Sequence, residues 1–370
     1  MPRRLCQNRR LSSVASVMIG LPLIGPQYSR PNALAAPADK PMTSTYDDAL
    51  SSSKRSPMAL SSFYCPITHE RLLAVRGVDA SKFLQGQLTC NLSYLNENTS
   101  SLGARCTAKG RMLSSFRIVP QGDGYLLAMA SELLEAQLAE LQKFAVFSKV
   151  KLTDESALWT RFGVSEADAL LSEIGLQLSA NADSVARQGD TMAIRRADGC
   201  AELWTPSTQA EALQTQLADR LSVAPLNDWL LGQIRAGIGQ VFGPTRELFI
   251  PQMINLQALG GVSFKKGCYT GQEIVARMQY LGKLKRRLYR LSLPGHELPA
   301  IASEVFSPVH STAVGEVVLA ASTPSTVELL AVLQQDAVED GRLHLHGAEG
   351  PPLTLLELPY TLDSDREIQR

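Results

Sequence analysis

Residues 265–273, with the sequence KKGCYTGQE, combine a thiol, two cations and a helix-start signal. Thr270 and Glu273 have the Ser/Thr-x-x-Glu spacing of a capping box, which predicts that a helix begins there. Cys268 then lies just ahead of a helix N-terminus, and the partial positive charge of that end, together with Lys266, should lower the pKa of the thiol below about 8.5. The pattern predicts a reactive thiol, a candidate nucleophile or ligand, with Lys266 beside it. A small buried cysteine in a tight turn is the alternative.

Apolar residues continue after residue 273 at helical spacing, because Ile274, Val275, Met278 and Leu281 can share one face. Gly282 follows, and glycine tolerates the left-handed turn that ends many helices. Upstream, residues 237–251 contain several glycines and prolines and predict a long irregular loop that leads to the thiol. Long ordered loops often carry functional residues, so the helix and the loop are the elements that should position Cys268.

The composition is that of an ordinary globular protein without a dominant charge. The chain has 370 residues, enough for two or three domains, and its 36 basic and 36 acidic residues exclude a global field directed at nucleic acid or an acidic substrate. The six cysteines show no Cys-x-x-Cys spacing and the five histidines are dispersed, which predicts reduced thiols, a cytoplasmic protein and no metal site. No apolar run approaches eighteen residues, so no membrane contact is predicted.

The first 60 residues differ from the rest of the chain. Arg3, Arg4, Arg9 and Arg10, then a short apolar run and an excess of proline, alanine and serine, resemble a targeting peptide. Met42 and Met58 are alternative starts, and the folded pattern begins only after Met58. We therefore interpret residues 1–60 as a disordered leader or a spurious N-terminal extension, with a secretion signal as the alternative.

The remaining residues predict an α+β protein with a separate β domain. Leu72 to Val75 predict a buried strand, Lys109-Gly110 the turn of a hairpin, residues 132–144 a helix and residues 147–152 a strand. The predicted organisation is a discontinuous core domain at 61–111 plus 185–282, an inserted α+β subdomain at 112–184, a β-barrel at 283–362 and a tail at 363–370.

Four stretches together resemble the signature of the YgfZ family, folate-binding proteins linked to tRNA modification; they are residues 249–252 (FIPQ), 255–257 (NLQ), 260–264 (GGVSF) and 265–273. Weaker likeness covers about residues 65–360. The resemblance implies a three-part fold shared with the aminomethyltransferase T-protein of the glycine-cleavage system, with a central folate-binding channel, a ferredoxin-like subdomain and a C-terminal β-barrel. It also implies tetrahydrofolate or a one-carbon derivative as cofactor. The implied role is maintenance or assembly of certain iron–sulfur enzymes, including those of tRNA methylthiolation, with these enzymes or their assembly factors as partners.

Tetrahydrofolate needs a flat apolar wall for its pterin, paired donors and acceptors for the pterin edge, and cations for its glutamate tail. Trp229 resembles the stacking tryptophan of the family, with a helix core as the alternative, and Tyr269 is a second platform. The candidate cofactor-binding residues are Trp229, Asn255, Gln257, Tyr269, Gln272, Glu273, Arg277, Gly267 and Gly271.

Two positions depart from the pattern of the relatives. Ser114-Ser115 stand where the T-protein carries an acidic pair, and serine cannot act as that base at neutral pH. The sequence therefore favours a folate-dependent accessory protein over a folate-dependent aminomethyl or one-carbon transferase, which stays an alternative. Arg235 stands where family members often carry a glutamate that grips the pterin.

A third alternative is a basic RNA-interaction module. Lys283, Lys285, Arg286, Arg287 and Arg290 follow the motif closely and could make a weak tRNA contact. Tyr289 is the only aromatic residue inside this dense run. Because nucleic-acid-binding strips usually interleave several aromatics with the cations, a solvated basic face is the competing interpretation.

Overall fold

The computed structural model describes residues 62–282 and 284–362, so the predicted leader, Lys283 and the predicted tail lie outside the described residues. No helix within these ranges is both long enough and apolar enough to cross a membrane. The α-helices of the described residues are α1 (Ala80–Gln85), α2 (Leu134–Phe144), α3 (Asp168–Glu173), α4 (Ala210–Ala218), α5 (Leu226–Arg235), α6 (Gln272–Tyr280) and α7 (Gln335–Asp340). Short 3₁₀ turns include Leu92–Tyr94, Gly243–Thr245 and Pro251–Ile254.

The strands form three sheets. In chain order they are β1 (Phe63–Pro66), β2 (Glu70–Arg76), β3 (Ser101–Cys106), β4 (Met112–Gln121), β5 (Gly124–Ala130), β6 (Lys151–Asp154), β7 (Trp159–Ser165), β8 (Val185–Gln188), β9 (Thr191–Arg195), β10 (Ala201–Pro206), β11 (Ser222–Val223), β12 (Arg286–Pro294), β13 (Glu304–Phe306), β14 (Gly315–Ser322), β15 (Thr326–Gln334), β16 (Leu343–Leu345) and β17 (Pro352–Leu356).

Strand order defines a first sheet, β11-β1-β7-β10-β9-β8, a second sheet, β3-β4-β5-β2-β6, and a closed barrel, β12-β15-β14-β13-β16-β17. The first and second sheets share one buried apolar cluster. The second sheet contributes Leu72 and Leu126 to it, and the first sheet contributes Ile194 and Trp204. Burial of these large apolar side chains between the two sheets supplies the main attraction that holds the sheets together.

The predicted C-terminal β-barrel is confirmed. Strand β12 pairs with β15 over nine positions, and alternating apolar residues of the strands form one interior cluster that includes Leu291, Val317 and Leu329. The barrel is held to helix α5 by Arg235, which forms an ion pair with Glu328 on β15, and by Asn227, whose Nδ2 donates to the Ser322 carbonyl at 2.9 Å.

Strand pairing crosses the predicted boundary of the inserted subdomain at residue 112. Strand β4 pairs with β3 and β5 pairs with β2, so residues on both sides of the boundary belong to one sheet, whereas β7 pairs with β1 and β10 in the other. The strand predicted at 147–152 also begins later, at Lys151, because residues 146–149 form a turn and bend. Local periodicity reports which residues are extended, but the partner of a strand depends on distant residues.

Candidate functional site

The helix that follows the KKGCYTGQE motif forms as predicted, but the predicted capping box is wrong. Helix α6 begins at Gln272, its N-cap is Gly271 in the left-handed conformation at φ 87°, and no side chain caps it. The backbone N–H of Thr270 donates instead to the Gly86 carbonyl at 3.1 Å. A Cβ atom on Gly271 would lie 2.5 Å from the Thr107 carbonyl oxygen, so the close contact with the β3–β4 turn requires glycine here and overrides the local signal.

The apolar face predicted for α6 is only partly buried. Val275 is fully buried, Ile274 and Met278 are half-buried, and Leu281 is 84% exposed at the end of the helix. Ile274 packs on the β3–β4 turn, where a Cβ atom on Gly110 would lie 3.0 Å from its side chain. Helix and hairpin turn therefore hold the motif from two sides.

Lys266 and Cys268, neighbours in the motif, have opposite environments. The Lys266 ammonium is buried, donates to the carbonyls of Leu88 at 2.6 Å and Cys90 at 2.7 Å, and lies 5.0 Å from the centre of the Tyr269 ring. Burial lowers the pKa of Lys266 to about 8. Cys268 is exposed. The Lys266 side chain thus connects the motif to residues 88–90 through two hydrogen bonds. This structural role differs from the predicted role of activating Cys268.

Tyr269 is buried in the same region rather than presented as a platform. Its side chain is 7% exposed, and its hydroxyl has no hydrogen-bond partner among the described residues. Burial, with the nearby thiols of Cys106 and Cys90, raises the pKa of Tyr269 above its ordinary range. The Tyr269 ring is thus placed for a cation–π interaction with the Lys266 ammonium.

A large cleft of about 880 Å³ lies between three segments that are far apart in the chain. They are residues 91–101 ahead of β3, residues 257–265 ahead of the motif, and residues 358–361 after β17. The lining includes three aromatic rings, two amides and one exposed cation: Tyr94, Phe264, Tyr360, Asn91, Gln257 and Lys265. Flat walls, two amide side chains and a cation thus meet in one concave site. The Oδ1 atom of Asn91 already accepts hydrogen bonds from Gln85 Nε2 at 2.7 Å and from the Ser93 N–H at 3.1 Å, so its Nδ2 group is the part of this amide that can donate to a ligand.

Tyr360 anchors the C-terminal segment of this cleft. Its hydroxyl donates to the Gly237 carbonyl at 2.7 Å, and a Cβ atom on Gly237 would lie 2.7 Å from the ring. Asn255, fully buried and left-handed at φ 55°, places its Nδ2 3.5 Å from the Tyr360 hydroxyl and donates to the Leu288 carbonyl at 3.1 Å. The Oδ1 atom of Asn255 has no hydrogen-bond partner among the described residues, which leaves a buried acceptor beside a residue of the cleft.

A smaller cavity of about 50 Å³ lies between the first and second sheets. Its lining includes Trp229, Gln233, Gln240, Ser115 and Glu202. Trp229 is 2% exposed, with the Arg196 guanidinium 3.7 Å from its ring centre, and a Cβ atom on Gly163 would lie 2.3 Å from the ring. Most of the Trp229 side chain is therefore packed in the core, as the alternative interpretation predicted, and part of it borders the small cavity.

Buried ion pairs join the two sheets next to this small cavity. Glu202 on β10 accepts hydrogen bonds from Arg117 on β4 at 3.0 Å and from Arg161 on β7 at 2.5 Å, and Arg161 also pairs with Glu70 on β2 at 2.6 Å. Burial alone would raise the pKa of Glu202, but the Arg161 and Arg117 guanidiniums outweigh burial and hold that pKa well below its usual range. Glu202 therefore stays ionised at neutral pH and is a weak base.

Ser114 and Ser115, which the sequence predicts to stand in place of the T-protein acidic pair, lie on strand β4. Ser115 accepts a hydrogen bond from the Val241 N–H at 2.9 Å and borders the small cavity. Ser114 is buried, and its hydroxyl has no partner among the described residues.

Within residues 62–282 and 284–362, no cluster of three or more His, Cys, Asp or Glu side chains could hold a metal ion.

No protein-family model matches the chain. The chain is 37% identical over 307 residues to the tRNA-modifying protein YgfZ of Yersinia enterocolitica serotype O:8, which covers 80% of this chain and 91% of that relative. It is 35% identical over 301 residues to the protein of the same name in Yersinia pseudotuberculosis serotype IB, again covering 80% and 91%. The chain belongs to the YgfZ family. The predicted resemblance to this family is thereby confirmed.

The fold of this YgfZ-family chain is similar to the crystal structure of the glycine cleavage system aminomethyltransferase T from Bartonella henselae. The TM-score is 0.65 at 17% sequence identity, and the match covers 81% of this chain and 86% of that one. The similarity confirms the predicted T-protein-like α+β fold with its C-terminal barrel. At this level of identity the likeness concerns the fold alone.

The predicted cofactor residues of the YgfZ-family motif do not gather in one place. Gln257 lines the large cleft and Trp229 the small cavity, whereas Asn255, Tyr269, Gln272, Glu273, Arg277, Gly267 and Gly271 line neither of these two. The Gln272 side chain accepts from the Tyr269 N–H at 3.3 Å and so stabilises the motif turn. Glu273, Arg277 and Gly267 are exposed.

Arg235 and two arginines of the predicted basic cluster, Arg286 and Arg290, form ion pairs with carboxylates of the barrel. Arg235 and Arg290 both form ion pairs with Glu328, at 2.8 and 2.7 Å, and Arg286 pairs with Glu316. Arg235 therefore fastens helix α5 to β15 and is not among the residues that line either cavity. Lys285 is exposed, so the cationic strip that the sequence predicts is weakened by carboxylates from neighbouring strands.

Sequence reasoning missed Tyr94, Phe264, Tyr360 and Asn91 as site candidates. The sequence contained a signal for one of the four, because Phe264 directly precedes the lysine pair of the motif. Tyr360 carried no signal, because residues 358–361 lie far along the chain from the other two segments of the cleft and only the tertiary structure brings them together.

Cys268 is expected to alkylate faster than the other described cysteines. Cys65, Cys90 and Cys106 are buried, and burial raises their thiol pKa values to about 12, 11 and 12. Burial also raises the pKa of the half-buried Cys200. Timed labelling of the native protein at pH 7.5, read by peptide mass spectrometry, should modify Cys268 first, with denatured protein as the reference for full reactivity. If Cys200 labels before Cys268, the Cys268 thiol is not accessible to the reagent and the prediction is wrong.

Proposed function

We propose that this protein binds a reduced folate in the large cleft and acts as a folate-dependent accessory factor for iron–sulfur enzymes of tRNA modification. The observation that carries the proposal is the lining of the cleft, where Tyr94, Phe264 and Tyr360 meet the amides of Asn91 and Gln257 and the cation of Lys265. The curated relatives named tRNA-modifying protein YgfZ support the second half of the proposal.

The residues present fit tetrahydrofolate. A volume of about 880 Å³ lies within the range of roughly 300–1,000 Å³ that small-molecule sites occupy. Aromatic rings suit the flat pterin, amides suit its donor and acceptor edge, and Lys265 suits the glutamate carboxylates. When bound, tetrahydrofolate supplies a carrier for one-carbon units.

Binding without aminomethyl transfer is the better supported form of this proposal. The carboxylates that border the small cavity, Glu70 and Glu202, are engaged by Arg161, and Glu202 also by Arg117. A carboxylate held in its ionised form by two guanidiniums is a poor proton acceptor, and neither Ser114 nor Ser115 can replace it at neutral pH. The free thiols of the described cysteines agree with work in the reducing cytoplasm.

Gln257→Leu is expected to weaken binding of tetrahydrofolate about tenfold, because it removes a polar contact while keeping the size of the side chain. Anaerobic isothermal titration of the full-length protein measures the dissociation constant. Phe147→Ser, in a loop that does not line the cleft, is the control and should leave the constant unchanged.

Two results would count against the proposal in different ways. A wild-type protein that releases no saturable heat with tetrahydrofolate has no folate site. Saturable binding that Gln257→Leu and Lys265→Gln both leave unchanged would place folate outside this cleft. A salt-dependent loss of affinity in Lys265→Gln alone would still support contact with the glutamate tail.

A further inference from the structure

A surface far along the chain from the KKGCYTGQE motif presents apolar side chains directly to solvent. Val78, Phe144, Val146 and Phe147 are 86%, 53%, 72% and 99% exposed. Phe144 ends helix α2, and Val146 and Phe147 form the turn between α2 and β6. We call these four residues, with the lysines around them, the aromatic–lysine patch.

The two loops that carry the patch are in direct contact. The Lys149 backbone N–H donates to Asp79 Oδ2 at 2.7 Å, and a Cβ atom on Gly77 would lie 2.4 Å from the Lys149 carbonyl oxygen. Val78 lies between Gly77 and Asp79, so it adjoins the turn of Phe147. The contact holds the apolar side chains of both loops on one surface, and a clustered exposed apolar surface usually marks an interaction site.

The charge around the patch is positive. The exposed lysines are Lys82 in the last turn of α1, Lys143 in the last turn of α2, and Lys149 and Lys151 around the start of β6. Two nearby carboxylates are engaged elsewhere, because Glu140 pairs with Arg105 and Arg246, and Glu155 pairs with Arg76. Asp123 is an exposed carboxylate beside the patch, since its backbone carbonyl accepts the Gly77 N–H at 3.3 Å, so four lysines stand against Asp79 and Asp123 there. Asp79, half-buried, accepts the Lys149 N–H and is the acidic group within the described loops of the patch.

We infer that the aromatic–lysine patch binds a single-stranded segment of RNA, with unstacked bases on Phe147 and Phe144 and phosphates on the lysines. Exposed aromatics interleaved with cations are the arrangement that single-stranded nucleic acid requires, since every base has a face that can stack and every nucleotide carries a phosphate. The Arg105 guanidinium lies 5.7 Å from the Phe144 ring centre and already uses part of that ring, so Phe147 is the principal platform.

The patch fits RNA better than the strip after the motif does. Arg286 and Arg290 in that strip are paired with Glu316 and Glu328, whereas the four lysines of the patch are exposed and lie on the same segments as, or next to, two exposed phenylalanines. The inference deepens the tRNA-related part of the proposed function and does not depend on folate binding, because Phe147 and the patch lysines do not line the large cleft.

Fluorescence anisotropy with a labelled twelve-nucleotide oligouridylate and with a duplex of equal length tests the inference between 50 and 200 mM salt. The full-length wild type should prefer the single strand. Phe147→Ser should weaken binding about five- to a hundredfold at every salt concentration. The double variant Lys143→Gln, Lys149→Gln should reduce the slope of log affinity against log salt by about 1.4. Lys285→Gln, which removes one exposed charge of the competing strip, should change neither quantity.

Several outcomes would overturn the inference. One is a wild type that binds neither RNA at 50 mM salt, and another is a loss in Lys285→Gln as large as that in the double variant. A third is Phe147-dependent binding to anionic phospholipid vesicles without binding to RNA, which would assign the patch to a membrane surface. Phe147 is exposed, so its variant should keep the wild-type melting temperature. Folate titration of the same variants separates failure of this inference from failure of the folate proposal.

Discussion

Glu202→Gln is expected to lower the free energy of unfolding by about 3–5 kcal/mol. Glu202 is the shared acceptor of Arg117 and Arg161, whose side chains are only 5% and 4% exposed. The amide keeps the shape of the side chain but removes its charge, so each buried guanidinium loses one counter-ion. Since Glu202 and Arg161 come from the first sheet and Arg117 from the second, the loss falls on the packing of the two sheets.

Urea denaturation followed by tryptophan fluorescence measures this change. Glu173→Gln is the matched control, because Glu173 pairs with Arg220 while both side chains are more than half exposed, and its effect should stay within about 0.5 kcal/mol. A loss in Glu202→Gln as small as that of the control would show that the buried pairs contribute little to stability.

The stability contributed by Glu202 should disappear in acid. Its folded-state pKa is lower than the ordinary 4.5, so the unfolded state binds more protons as the pH falls below about 4.5. The contribution is fully present above that pH and is lost as the pH falls towards the folded-state pKa. The difference in unfolding free energy between wild type and Glu202→Gln should therefore shrink below about pH 4.5, whereas a constant difference would assign the effect to packing.

Lys266→Met is expected to lower the free energy of unfolding by about 2–4 kcal/mol at pH 7. The substitution keeps an unbranched side chain, but it leaves the carbonyls of Leu88 and Cys90 without the ammonium that lies 2.6 and 2.7 Å away. Each buried carbonyl that loses its donor costs about 1–3 kcal/mol. Lys265→Met is the control, because Lys265 is exposed and lines the cleft; it should keep the wild-type stability and weaken folate binding instead.

The effect of pH on the Lys266 variant has a defined sign. Burial lowers the folded-state pKa of Lys266 to about 8 from the ordinary 10.5, so between these values the unfolded state binds more protons than the folded state. The contribution of Lys266 to stability should therefore increase from about pH 8 to 10.5, measured as the difference between wild type and Lys266→Met. A difference that falls over this window would mean that the buried ammonium is stabilised by its surroundings and not penalised by burial.

Local sequence patterns determined most of the secondary structure of this protein. The sequence predicted a C-terminal β-barrel, and the apolar run at Leu72 to Val75 predicted β2. The hairpin with its turn at Lys109-Gly110 and the position of helix α6 were also predicted, because period and turn chemistry act over a few residues. The motif residues were sufficient to predict the family, which the curated relatives confirm.

Tertiary structure alone decided which of these residues form a site. Gly271, not Thr270, caps α6 because the loop must pass within contact of the Thr107 carbonyl, and Lys266 turns inward because the carbonyls of Leu88 and Cys90 are there to receive it. The cleft takes its lining from residues 91–101, 257–265 and 358–361, and Glu202 finds its two arginines on different sheets. Hydrogen bonds and burial between segments so distant in the chain outweigh the small local preferences, and a local pattern carries no record of those partners.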